Sequence, residues 1–159
     1  MTFDLEAMLH ALRDVDFILV GGVAAAVQGA PIMTQDVDIL YRIEPSNLSR
    51  LEAALLALDA VVRDDPRRLR FGIGHLETKG HKLTMTRAGA LDLLGSINEE
   101  QLLFEDILPH TERMNFDGLE ICVLRLAKLV ELKRMLGRPK DLAVLPVLEA
   151  TLREREARG

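Results

Sequence analysis

Asp36 and Asp38 stand two residues apart in the otherwise apolar run Asp36-Val-Asp-Ile-Leu-Tyr41. The alternation reads as a β-strand. A period of two puts both carboxylates on one face, with Val37, Ile39 and Tyr41 on the other. Two like charges side by side repel, and burial sharpens the conflict. A divalent cation relieves it most simply, because hard ions such as Mg²⁺ take carboxylate and phosphate oxygens together. Two such ions can clamp an in-line phosphoryl displacement. A bare Asp-x-Asp also has a plainer reading, a solvated strand face.

A second chemical signal lies upstream. Phe17-Ile-Leu-Val20 reads as a short buried strand that runs straight into Gly21-Gly22, and Val23 to Gln28 reads as an Ala-rich helix stopped by Gly29 and Pro31. A strand, two glycines and a helix let a phosphate reach backbone N–H groups with no Cβ in the way, near a positive helix end. Alone, the glycine pair also fits an ordinary tight turn. Together with Asp-x-Asp about 15 residues later it forms a far rarer combination.

The segment Val20-Gly-Gly-Val-Ala-Ala-Ala-Val-Gln-Gly29, followed by Thr34-Gln-Asp-Val-Asp-Ile39, resembles the polymerase-β-like nucleotidyltransferase superfamily. That signature is a hydrophobic residue, Gly-Gly or Gly-Ser, a helix, and Asp-x-Asp on the next strand. The spacing is most similar to the abortive-infection type nucleotidyltransferase toxins and related small bacterial proteins. The resemblance is firm over residues 17–40 and extends to about residue 146. It implies an α+β fold with a mixed β-sheet flanked by helices. It also implies Mg²⁺, with Mn²⁺ as an alternative, and transfer of a nucleotide from a nucleoside triphosphate to an acceptor. The acceptor classes are RNA (such as the 3′ end of tRNA), a protein or a small molecule, and an antitoxin is an implied partner for a toxin. Asp36 and Asp38 would hold the metal, and Gly21, Gly22 and Thr34 the nucleotide. The superfamily carries a third carboxylate on a later strand, and Ala90-Leu-Asp-Leu-Leu94 supplies Asp92, the one polar residue of an apolar run. Asp64, Asp65 and Glu77 are weaker candidates. Two departures stand out. Ile32-Met33 occupy a stretch where relatives often carry a basic residue, and Val23 follows the glycines where many carry Ser or Thr. They motivate an alternative, a catalytically weak or inactive nucleotide- or partner-binding module on the same fold.

Near the C-terminus, Arg125 to Leu136 reads as a helix closed by Gly137 and Pro139. Leu126, Leu129, Val130, Leu132 and Leu136 form one apolar arc, and Lys133 falls inside it. A lysine on a core-facing stripe is costly unless it meets an anion or snorkels to water. The following Gly137-Arg-Pro-Lys-Asp-Leu142 is similar to a C-terminal motif of the toxin-like relatives, whose basic residues are implied to face nucleotide or acceptor; Lys133, Arg138 and Lys140 are assigned to the nucleotide on that basis. Asp141 also fits a plain first-turn acid at a helix start.

The elements that must position these groups follow from periodicity. Helices are predicted over residues 4–15, 23–28, 45 to about 60, 98–103, 125–136 and 141 to about 154. Strands are predicted over 17–20, 36–41, 69–73, 82–86 and 90–94, with a hairpin of 111–116 and 119–123 across Asp117-Gly118. Strands cluster in the middle, so α+β is the expected class. At 159 residues the chain is expected to form a single domain, with a core at about 17–96 and a C-terminal helical part at about 124–156.

Composition narrows the partners. Residues 1–60 carry 3 basic and 9 acidic side chains, whereas residues 61–159 carry 17 and 16. An acidic first part beside a basic later one suits a site mixing metal-binding carboxylates with anion-binding cations. The net charge of −5 argues against double-stranded DNA, and aromatics at 4% with no Trp argue against a base-stacking platform. A single cysteine, Cys122, excludes an internal disulfide framework. The longest near-apolar run, Phe17 to Val27, is too short to span a bilayer. With no signal-peptide pattern at the start, a cytoplasmic protein without a membrane partner is expected.

Overall fold

The computed structural model describes residues 3–159. In chain order the elements are α1 (Leu5–Ala11), β1 (Phe17–Val20), α2 (Gly21–Val27), β2 (Asp36–Tyr41), α3 (Pro45–Ala57), β3 (Val61–Val62) and α4 (Ile73–Leu76). They continue with β4 (His81–Thr86), β5 (Gly89–Leu94), α5 (Phe104–Ile107), β6 (Thr111–Phe116), β7 (Leu119–Leu124), α6 (Leu126–Leu136) and α7 (Pro139–Arg158). The seven strands form one mixed sheet in the order β3-β4-β5-β2-β1-β7-β6. The fold is α+β, as expected. β2 lies antiparallel to β1 and parallel to β5, and β7 runs parallel to β1.

The two faces of the sheet are covered by different helices. Val37, Ile39 and Tyr41 of β2, with Leu91 and Leu93 of β5, pack under α1 and α3 through Met8, Leu9, Leu12, Leu48, Leu51 and Leu55. On the other face Ile18, Val20, Leu40 and Leu124 meet α6 and α7 through Leu126, Leu129, Val130, Leu132, Leu145 and Leu148. The alternation of β2 therefore sends Asp36 and Asp38 to the α6–α7 side. The buried Gln28 fastens that side. Its amide donates to the Ala24 and Leu124 carbonyls at 2.8 Å each, and its oxygen accepts from Leu126 N at 3.0 Å. One side chain thus ties the end of α2 to the β7–α6 junction, which fixes the basic helix relative to the glycine corner. Arg155 of α7 donates to the Gln28 carbonyl at 3.1 Å and closes the same joint.

Several predicted boundaries shift. Helix α2 begins at Gly21 itself, α1 ends at Ala11, and α7 starts at Pro139, where a proline fits because the first-turn N–H has no helical partner. Leu69–Ile73 is not a strand. Leu69 gives one carbonyl to Val62 N at 2.7 Å, while Arg70 turns away to bind Asp59 and the Ala60 carbonyl. The edge strand is instead the two-residue β3, too short to carry a periodic signal. Residues 98–103 are not a helix either. Asn98, Glu99 and Glu100 all have left-handed backbone, with φ of 52°, 56° and 68°, in a loop closed by the Ile97–Leu102 bridge.

Candidate active site

The sheet register gathers the acidic groups. Asp38 is level with Val20 of β1 on one side and with Asp92 of β5 on the other, while Asp36 is level with Ala90. Parallel neighbours in register point the same way, so Asp36, Asp38 and Asp92 share one patch of one face. Each offers a carboxylate oxygen, and the three oxygens lie within 4.8 Å of one another. The electrostatic cost is evident. Burial pushes the Asp38 carboxyl up to about 8, and the charges of Asp92 and Asp36 add to the rise, with Lys133 opposing it. Asp36 is raised for the same reasons, burial first and the Asp92 charge second, with Arg63 opposing. Three hard oxygen donors that repel one another in the absence of a cation are a donor set that fits Mg²⁺ or Mn²⁺.

The glycine corner is built around one of these carboxylates. Gly21 has φ +68°, a conformation that disfavours side chains, and a Cβ there would fall 2.0 Å from Asp38 Oδ2. The backbone at Gly21 thus lies directly against the Asp38 carboxylate. At Gly22 an added Cβ would come 3.3 Å from the Thr34 side chain. Thr34 in turn donates its hydroxyl to the Asp36 carbonyl at 2.8 Å, holding the entry to β2. The first turn of α2 has no side-chain cap.

Two cavities meet at this corner. The larger, about 720 Å³, is lined by Gly21, Asp38 and Asp92 on the sheet side and by Lys133, Arg138 and Lys140 on the helical side. A second, about 300 Å³, runs past Gly22, Thr34 and Asp36 and shares Lys133. Gly21, Gly22, Thr34, Asp36, Asp38, Asp92, Lys133, Arg138 and Lys140 each line one of the two. Their mutual arrangement is tighter for some than for others. Lys133 ion-pairs with Asp141 at 3.1 Å, and Arg138 pairs with the other Asp141 oxygen at 2.6 Å. Lys140 is exposed on the rim. The lysine inside the apolar stripe is explained by that partner: Leu126, Leu129, Val130 and Leu132 are buried, and Lys133 reaches along them to a fully buried carboxylate.

Two residues matter more than the sequence indicated. Asp141 does more than start a helix. Its carboxylate accepts from Arg138 N at 3.3 Å and binds both basic side chains. The Arg138 hydrogen bond, with help from Lys133, holds its carboxyl down at about 2. In the sequence it was marked by the Arg-x-Lys-Asp string and by its place at a helix start. Arg63 had no signal at all. It follows β3 in an arginine-rich loop, and its guanidinium ion-pairs with Asp92. Asp64, Asp65 and Glu77 stay outside the acidic cluster. Asp65 turns back onto Arg67 at 2.7 Å, and Glu77 caps the end of α4.

The sequence matches no family model and no curated protein. Its fold does have counterparts among solved structures. A Thermotoga maritima protein described as a nucleotidyltransferase aligns with a TM-score of 0.58 at 17% identity, over 89% of this chain and 88% of that one. ANT(2″)-Ia in complex with adenylyl-2″-tobramycin aligns with a TM-score of 0.59 at 14% identity, over 93% and 87%. The solution structure of the antibiotic-resistance factor ANT(2″)-Ia gives 0.57 at 14% identity, over 97% and 91%. The chain thus has the nucleotidyltransferase fold, a mixed sheet closed by C-terminal helices. No helix among the described residues is long and apolar enough to cross a membrane.

Proposed function

We propose that the protein is a Mg²⁺-dependent nucleotidyltransferase that moves a nucleotide from a nucleoside triphosphate to an acceptor hydroxyl. The observation that carries this reading is the meeting of Asp36, Asp38 and Asp92 at one point, against a Cβ-free backbone corner and below Lys133. When bound, the cation supplies charge neutralisation at the triphosphate, and Asp36, Asp38 and Asp92 are the residues that hold it, with Mn²⁺ as a substitute. Gly21, whose missing Cβ makes way for the Asp38 carboxylate, and Gly22 would offer backbone N–H groups to the phosphates. Thr34 holds the entry to β2 beside them. Lys133, Arg138 and Lys140 present positive charge to the triphosphate from the opposite wall.

The chemistry is an in-line displacement. The acceptor oxygen forms a bond to the α-phosphorus, the bond from that phosphorus to the bridging oxygen breaks, and pyrophosphate leaves with the electron pair. The Asp92 oxygen not engaged by Arg63 takes the proton of the acceptor hydroxyl. Most of the rate enhancement comes from positioning and charge neutralisation, as in other phosphoryl transfers.

One counterpart was solved in complex with adenylyl-2″-tobramycin, which makes a small molecule one candidate acceptor. RNA and protein remain candidates from the sequence resemblance, as do a toxin role, an antitoxin partner and a cytoplasmic setting. A second reading, nucleotide binding without turnover, is favoured by Val23 beside the glycines and by Met33, fully exposed where a basic residue was expected.

The deciding experiment incubates the protein with labelled nucleoside triphosphates and Mg²⁺, and follows pyrophosphate and label transfer into RNA, protein and small-molecule pools. Wild type transfers label, and Asp38→Asn, folded, does not. Asp38→Asn as active as wild type refutes the assignment. A nucleotide-induced rise in melting temperature with no transfer selects the binding module.

A further inference from the structure

Arg63 is the one basic side chain among the described residues that ion-pairs with a carboxylate of the acidic cluster. Its position is not incidental. The Arg63 backbone N–H donates to the Leu83 carbonyl at 3.0 Å, and its guanidinium donates to the Thr84 carbonyl through Nε at 3.2 Å and Nη2 at 2.8 Å. Leu83 is level with Asp92 across the β4–β5 pair, so the arginine is anchored on the strand beside its partner. Both side chains are largely buried, at 16% and 15% exposure. An arginine stays charged at any ordinary pH, so this cation is permanent.

A buried permanent cation beside a metal-ligand carboxylate acts in two ways. It relieves the repulsion among three carboxylates while no metal is bound. It also opposes the arrival of a second cation at the same oxygens. We propose that Arg63 is the resident counter-cation of the acidic site, a positioning residue that fixes Asp92 and holds down the affinity of the site for a free divalent ion. With Arg63 in place, Asp36, Asp38 and Asp92 would hold a bare divalent ion less tightly than three unpaired carboxylates would. This rests on the nucleotidyltransferase reading of the acidic cluster and adds to it the residue that sets its metal affinity.

The test is calorimetric titration of free Mn²⁺ into wild type, Arg63→Met, Arg63→Lys and Asp38→Asn, with no nucleotide present. A unit charge next to a divalent ion, even in a water-like dielectric, changes affinity on the order of tenfold. Arg63→Met is therefore expected to bind Mn²⁺ about tenfold more tightly than wild type. Arg63→Lys, which keeps the charge, stays within about threefold of wild type on the same Coulomb argument. An arginine that merely braces β3 against β4 gives the opposite result, unchanged or weaker binding in Arg63→Met, and that overturns the inference. If Arg63→Met does not fold alone, its refolding is followed against Mn²⁺. Recovery below the wild-type dissociation constant supports the inference, and no recovery at saturating Mn²⁺ overturns it. If neither wild type nor any variant binds Mn²⁺, with or without a non-hydrolysable triphosphate, the metal-site reading itself fails. If wild type binds, Asp38→Asn does not, and Arg63→Met is no tighter, only the role of Arg63 is lost.

Discussion

Gly21→Ala is the sharpest perturbation of the site, because it adds a single methyl group to a position defined by two independent constraints. The first is backbone conformation: at φ +68° a residue with a Cβ pays roughly 1–2 kcal/mol for the left-handed region. The second is contact: the new Cβ would lie 2.0 Å from Asp38 Oδ2, whereas real Cβ contacts essentially never fall under 3.0 Å. Asp38 must therefore retreat by about 1 Å, and its neighbours Asp36 and Asp92 make any retreat towards them unfavourable. A misplacement of about 1 Å in a reacting constellation costs on the order of 100-fold. Gly21→Ala is thus expected to lower kcat/KM at least about 100-fold, to weaken Mn²⁺ binding, and to lower the melting temperature by about 2–8 °C. Gly22→Ala is the control, since its Cβ meets Thr34 at 3.3 Å with no adverse φ, and it is expected to cost under about 1 kcal/mol. Pyrophosphate release, Mn²⁺ calorimetry and thermal melts on the three proteins make the comparison. A Gly21→Ala protein with a lowered melting temperature but wild-type Mn²⁺ affinity and turnover would show that Asp38 does not hold the cation.

Two further outcomes follow from the charged groups. Asp141→Asn removes a fully buried carboxylate from Lys133 and Arg138; because those partners are 26% and 49% exposed, the loss is placed at about 2–3 kcal/mol, checked by urea melts. Its carboxyl is held at about 2 in the fold against an ordinary 3.8, so its contribution is complete above about pH 4 and disappears as pH falls towards 2; the acid limb of the stability profile flattens in the variant. Asp38 has the opposite sign. With a folded value of about 8, the folded protein holds a proton that the unfolded chain has released, so metal-free stability falls as pH rises from about 4 to about 8. Asp38→Asn, or saturating Mg²⁺ on the wild type, is expected to remove that slope, and identical slopes for wild type and Asp38→Asn in metal-free buffer would contradict the placement of Asp38.

The parts of the site that repeat along the chain were legible in it. Alternation in Asp36–Tyr41 fixed which face holds the two aspartates, and the apolar arc of residues 126–136 marked Lys133 as an anomaly that needed an anion. Elements with no periodic signal were misread. β3 is two residues long, and the 98–100 loop adopts left-handed backbone at three successive residues that carry side chains. Propensity averages over windows longer than either feature.

What the sequence determined by itself is the local chemistry: a strand bearing two carboxylates on one side, a bare-backbone turn before it, and a basic helix end. These depend on neighbours within a few residues, and strand and helix periods report them directly. Only the tertiary structure decided that Asp92 stands level with Asp38, that Gly21 lies against the Asp38 carboxylate, that Asp141 holds Lys133 and Arg138, and that Arg63 neutralises Asp92. Three of these four pairings rest on how the strands are ordered and aligned in the sheet. Strand order and register come from how both faces pack against α1, α3, α6 and α7, a property of the assembled core that no local stretch of chain encodes.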